Sequence, residues 1–148
     1  MKRYNPSEIE PKWQQIWTED NRYKAVDFDD KPKYYVTGMF PYPSGAGMHA
    51  GHFMEHSIVD AVARFRRSLG YNVLYPMGWD SFGLPAENYA IKTGKPPKQT
   101  VPENIANFKN QLRRVGASID WAREINTSDP EYFDNRSEER RVGKECRS

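Results

Sequence analysis

Two histidines three residues apart, His49 and His52, close a run of small and cyclic residues, Met39-Phe-Pro-Tyr-Pro-Ser-Gly-Ala-Gly-Met-His-Ala-Gly-His52. The run follows a β-prone segment, Lys33 to Met39, and leads into what reads as a helix. That order suits the phosphates of a nucleotide triphosphate. Amides at a helix N-terminus point outward with partial positive charge, and Gly45, Gly47 and Gly51 would keep Cβ atoms out of an anion's path. Imidazole donors there can hold phosphate oxygens as charge builds on them during phosphoryl chemistry.

Other readings of these histidines stay open on residue types alone. His49, His52 and His56 fall at i, i+3 and i+7, one helix face, a spacing that a metal site can use. No cysteine lies nearby, however, and ligation by neutral imidazole would leave the anion-ready turn unused. The first two can equally be ordinary capping residues. His56 by itself reads as a packed or surface histidine rather than a ligand.

Asp80 is the second chemical landmark. It follows a strand candidate, Asn72 to Tyr75, at the place where ligands bind in open α/β folds, beyond the carboxyl ends of the strands. A lone carboxylate there suits an ammonium group; it can also be a loop cap beside Ser81. Phe40, Tyr42 and Trp79 either line an apolar pocket or pack the turn.

The elements that must position these groups follow from periodicity. Met54, Ile58, Ala61, Val62, Phe65 and Leu69 recur at helical spacing, which predicts a helix from Ala50 to about Leu69 with that stripe in the core. Arg64, Arg66 and Arg67 suit its negative end, and Gly70 its left-handed C-cap. Strand, helix and strand with such short links make a βαβ unit, with parallel strands and a right-handed crossover. Pro76 is expected to stop the second strand.

Upstream, Pro11 argues for a short turn at 6–9 and a helix from Glu10, with Ile9, Trp13, Ile16 and Trp17 on one face. Downstream, a short helix is expected over Glu87–Lys92 and a linker over Gly94–Lys98. Thr100-Val-Pro-Glu103 reads as a capping box that opens a helix ending at Gly116. Ser128-Asp-Pro-Glu131 reads as another, opening a helix with Tyr132 and Phe133. Only two clear parallel strands emerge, and uncovered parallel sheets are unusual, so marginal stability is expected of the isolated chain.

Taken together the motifs resemble the class I aminoacyl-tRNA synthetases, and within that class the leucine-specific branch. His49-Ala-Gly-His52 resembles the HIGH signature that binds ATP in this class. Met39-Phe-Pro-Tyr-Pro-Ser-Gly45 and Gly78-Trp-Asp-Ser-Phe-Gly-Leu-Pro-Ala-Glu87 are narrower, and Asp120-Trp-Ala-Arg-Glu124 and Thr127-Ser-Asp-Pro-Glu-Tyr132 continue the match. The resemblance covers about residues 3–133. It implies an α/β, Rossmann-type catalytic fold, incomplete in this chain. It also implies ATP-dependent activation of leucine to leucyl-adenylate, then transfer to tRNA(Leu).

By position the resemblance assigns His49 and His52 as catalytic, and His49, Gly51 and His52 to ATP. It gives Met39, Phe40 and Tyr42 to the leucine pocket and Asp80 to the leucine ammonium. Mg²⁺ comes with ATP, no metal is held by the chain, and the parent enzyme is monomeric and cytoplasmic. Two departures stand out: Ala50 replaces a larger apolar residue, and His56 stands where the family has Tyr. The alternatives are another class I synthetase, or a nucleotide- or tRNA-binding module without catalysis.

Charge separates body from tail. Five of the 22 Lys and Arg and three of the 20 Asp and Glu lie in Arg136–Ser148, which leaves 17 against 17. The body therefore carries no net charge that would argue for nucleic acid. The tail, which holds the single Cys146, resembles the translation of a short-read sequencing adapter, so the chain divides into a catalytic part, 1–135, and a non-native segment, 136–148. One cysteine excludes an internal disulfide framework, and no run approaches the ~20 apolar residues of a membrane helix.

Overall fold

The computed structural model describes residues 3–45 and 47–132, so Phe133, the boundary at 135 and the tail 136–148 lie outside the described residues. The elements in chain order are helix α1 (Pro6–Glu19), strand β1 (Lys33–Tyr35), helix α2 (Ala50–Ser68), strands β2 (Asn72–Leu74) and β3 (Pro76–Trp79), helices α3 (Leu84–Thr93) and α4 (Pro97–Arg114), and strand β4 (Asp120–Asn126). The fold is mixed α/β with parallel strands, as the sequence indicates.

Strands β2 and β3 run on from each other with only Tyr75 between them, and the segment changes partner there. β1 pairs with β2 in parallel, Tyr34 opposite Val73, and β4 pairs with β3 in parallel, Pro76 opposite Asp120. Backbone polarity explains the exchange. Even-numbered residues face the β1 side: Asn72 N donates to Pro32 O, Val36 N to Leu74 O, and Asp80 N to Pro41 O. Odd-numbered residues face β4: Asp120 N donates to Tyr75 O and Thr127 N to Trp79 O. Residues 72–79 are thus the middle strand, with β1 on one edge and β4 on the other.

This arrangement corrects the expectation that Pro76 ends the strand. Pro76 sits where the next donor toward β1 would be, so the β1 ladder ends after Val36 N donates to Leu74 O, while pairing with β4 continues from Pro76 to Trp79. β1 itself is shorter than expected because the Met39 amide turns away to the Glu55 carboxylate on α2. Strand β4 is an element that hydrophobic pattern does not announce. Its polar side chains are individually partnered: Asp120 is buried and accepts from Ala25 N (2.9 Å), and Glu124 accepts from Trp79 Nε1 (2.8 Å) and pairs with Lys109.

Both crossover helices cover the side of the middle strand that carries Val73, Tyr75, Met77 and Trp79. With Ala63 of α2, Phe108 and Leu112 of α4, and Ile119, these residues form the core. Four corrections follow, three of them to element boundaries. α1 starts at Pro6 and tolerates Pro11 inside it, because the helix buries no residue and water can reach the carbonyl left without a donor. α4 starts at Pro97, so Thr100 is an interior residue, buried with its hydroxyl unpartnered, and forms no cap. α3 extends back to Leu84 and on to Thr93. Gly70 and Gly116 do end their helices at positive φ, 86° and 72°.

The fourth correction concerns α2. Met54, Ile58, Phe65 and Leu69 are exposed, at 55% or more of their surface, and Ala61 with them. The buried face is His56 and Ala63, with Val59 packed against the core. Two apolar faces existed on this helix, and periodicity favoured the wider one. The sheet buries the other, where Ala63 meets the core and His56 finds the Tyr75 hydroxyl.

Candidate active site

The loop from Met39 to Met48 lies across the carboxyl end of the middle strand, and three polar groups tie it there. Asp80 N donates to Pro41 O (3.1 Å), Asn104 Nδ2 to Pro43 O (2.9 Å), and Met48 N to Gln111 Oε1 (2.8 Å). Asn104 and Gln111 lie on α4 at i and i+7, flanking Phe108 at i+4. Sequence reading missed both. The available signal was two amides on an otherwise apolar helix face, since a buried amide needs a backbone partner.

His49 is the N-cap of α2 and His52 its third residue, and they cap reciprocally. His52 N donates to His49 Nδ1 (3.3 Å) and His49 N donates to His52 Nδ1 (3.3 Å). The rings stack at 3.7 Å with 14° between their planes. A backbone N–H can only donate, so both Nδ1 atoms are acceptors and both rings are Nε2–H tautomers. Burial, and then the neighbouring His49, hold the His52 pKa below its ordinary value, against the opposing pull of Glu55. The capping reading is thus true, and it fixes the direction in which two N–H groups can serve an anion.

A Cβ on Gly51 would approach the His49 ring to 3.0 Å, and one on Gly47 would meet the Gln111 amide at 2.8 Å. Both glycines make room for the site's own side chains. Of the three glycines of this turn, Gly45 alone has nothing within 4 Å of a Cβ.

His56 is buried and its Nδ1 lies 3.1 Å from the Tyr75 hydroxyl, whereas the Nδ1 atoms of His49 and His52 are occupied by backbone. Among the described residues no group of three or more His, Cys, Asp or Glu could hold a metal ion. Of the two expectations for His56, packed or surface, the buried one holds, and its ring lies 3.3 Å from the position of a Cβ on Gly38.

Burial lowers the His56 pKa from 6.5, with Glu55 and Asp60 opposing and His52 adding to the shift, and burial pushes the Tyr75 phenol up. The folded chain therefore keeps His56 neutral where an unfolded chain takes up a proton. Stability is unaffected by this group above about pH 6.5 and falls as pH drops below it. Ring NMR titration should place the His56 midpoint below that of an unfolded-chain histidine, and His56→Phe should flatten the acid-side loss.

Asp80 follows β3 directly and is half-buried, with Thr127 Oγ1 3.5 Å from its Oδ1. Among the described residues no ion pair engages it. Two links connect it to the histidines. Its amide holds the loop that ends in His49, and the rings of His52, Phe108 and Trp79 follow one another at 6.4 and 6.2 Å. Both landmarks therefore stand at the carboxyl end of the parallel strands. Phe40 lies across Gly78, while Met39 (76%) and Tyr42 (49%) remain exposed at the same end.

The family model described as tRNA synthetases class I (M) matches residues 34–132. A leucine–tRNA ligase of Pelodictyon phaeoclathratiforme is 60% identical over 131 residues, and one of Chlamydia felis is 58% identical over the same length. Each match covers 88% of this chain and 16% of the relative, so the chain spans about a sixth of these relatives' length. Among solved structures, LeuRS of Agrobacterium radiobacter K84, in a ternary complex with tRNA and LeuAMS, superposes with a TM-score of 0.84 at 40% identity. That likeness covers 88% of this chain and 16% of that one. Methionyl-tRNA synthetase of Mycobacterium tuberculosis, in complex with methionyl-adenylate, gives 0.63 at 34%, covering 68% and 19%. With the family model spanning most of the chain, and with the paired imidazoles and the carboxylate at one end of its parallel strands, this protein belongs to the class I tRNA synthetases.

Proposed function

We propose that this chain is the nucleotide- and amino-acid-binding part of a leucine–tRNA ligase, which joins leucine to ATP as leucyl-adenylate and then transfers it to tRNA(Leu). The carrying observation is the loop 39–48, held at one end by the strand bearing Asp80 and ending in the stacked imidazoles. Leucine is favoured over methionine by the higher identity and TM-score of the leucine relatives.

In this reading a leucine carboxylate oxygen attacks the α-phosphorus in line and pyrophosphate leaves. The work of the chain is positioning and charge stabilisation. Asp80 holds the ammonium, Met39, Phe40 and Tyr42 shape the side-chain pocket, and Nε2–H of His49 and His52 donates to phosphate oxygens near Gly51. Mg²⁺ travels with ATP as part of the substrate. Among the described residues no helix is long and apolar enough to cross a membrane. The proposal takes the parent enzyme to be cytoplasmic and monomeric.

In the full-length enzyme, Asp80→Asn should raise the leucine KM about 10–100-fold, the scale of a charged hydrogen bond, with the ATP KM unchanged. Leucine-dependent pyrophosphate exchange measures both. An unchanged leucine KM would defeat the assignment of Asp80.

A further inference from the structure

The last residue before the chain leaves the β4 edge, Thr127, has no role assigned so far, and its hydroxyl stands between two groups of the Asp80 loop. Its backbone N–H donates to Trp79 O (3.1 Å), which fixes it beside the end of β3. Its Oγ1 accepts from Ser81 N (3.0 Å) and lies 3.5 Å from Asp80 Oδ1. A backbone amide can only donate, so one of the oxygen's two lone pairs serves Ser81 and its single proton remains for an acceptor. Asp80 Oδ1 is that acceptor. At 3.5 Å the contact is at the outer limit of hydrogen-bond length.

The surroundings keep Thr127 from turning away. Ser81 is buried, and its Oγ hydrogen-bonds Asn126 Oδ1 and lies 3.0 Å from Ser128 Oγ. Ser128 in turn donates to Asn126 Oδ1 through its amide (3.3 Å) and its hydroxyl (3.1 Å). Residues on both sides of Thr127 are thus pinned to the residue that follows Asp80.

We propose that Thr127 is a positioning residue for leucine activation, its hydroxyl setting the rotamer of the Asp80 carboxylate that receives the leucine ammonium. The inference rests on the reading of Asp80 given above. It places the specificity of the amino-acid site on both sides of the middle strand, since the β1 side supplies the pocket loop and the β4 side aims the carboxylate.

The test uses Thr127→Val, Thr127→Ser, Asp80→Asn and the Asp80→Asn/Thr127→Val double variant in the full-length enzyme, assayed by pyrophosphate exchange with leucine and ATP varied separately. Thr127→Val should raise the leucine KM about fivefold, the scale of one neutral hydroxyl bond, with the ATP KM unchanged. Thr127→Ser should restore the wild-type value. In the Asp80→Asn background, Thr127→Val should add nothing.

If Asp80→Asn raises the leucine KM and Thr127→Val does not, the Thr127 proposal is overturned and the Asp80 reading stands. An equal effect of Thr127→Val in both backgrounds shows a general structural role and overturns it too. No effect of Asp80→Asn removes the premise itself. Should the valine variant fail to fold, Thr127→Ala is read by the same criteria.

Discussion

Replacing His52 by alanine should lower kcat for adenylate formation about 10²–10³-fold in the full-length enzyme, the usual loss when one transition-state donor is removed. The structure says why this residue is hard to replace. Its Nδ1 takes the amide of His49, so the proton sits on Nε2 and cannot move to the other nitrogen without breaking the cap. Its ring lies stacked on His49, which restricts rotation. Alanine removes the donor, the cap acceptor and the stack at once. His52→Gln keeps an amide that can donate and accept, and should fall between alanine and wild type. Pyrophosphate exchange against ATP concentration checks both, and wild-type kcat in the alanine variant would remove His52 from the chemistry. A cap contributes only about 1 kcal/mol, so unfolding of the variant should shift little compared with the rate.

Gly78→Ala is expected to be the most damaging single methyl group in the described chain. A Cβ at Gly78 would stand 2.2–2.5 Å from three atoms of the Phe40 ring, far inside contact distance. Gly78 is in the middle of fully buried β3, so the strand cannot retreat, and the ring must leave. Overpacking of this kind costs about 1–3 kcal/mol. On the proposed assignment of Phe40 to the leucine pocket, the larger effect falls there: the leucine KM should rise more than about tenfold, the scale at which hydrophobic pockets discriminate. Adding Phe40→Leu gives the new methyl room, and should recover part of the stability while leaving the leucine KM high. A Gly78→Ala enzyme with wild-type stability and leucine KM would show that the ring does not rest where the structure puts it.

How much of this was legible in the letters varies by element. The β1–α2–β2 unit, its parallel sense and the glycine stops at Gly70 and Gly116 follow from local pattern, and the structure has them. The histidine pair and Asp80 stand out because their types are unusual after a Pro/Gly-rich turn or a strand end. β4 was not legible as a strand, because Asp120, Arg123 and Glu124 look like surface residues until Ala25, Asp27, Trp79 and Lys109 are brought to them. Thr100-Val-Pro-Glu103 fits a capping box letter by letter, yet the helix had already begun at Pro97 and turned Thr100 inward.

By itself the sequence determined the chemical inventory: two donors beside small residues, one carboxylate after a strand, and motifs shared with a synthetase family. It determined this because residue type and short-range spacing are local properties of the chain. Only the tertiary structure decided which face of α2 is buried, that residues 72–79 serve both edges, and that Asn104, Gln111, Glu55 and Thr127 hold the site in place. Those outcomes depend on polar groups separated by between 16 and 63 residues finding each other. A single side chain gives no sign of such a partner until the backbone has folded around it.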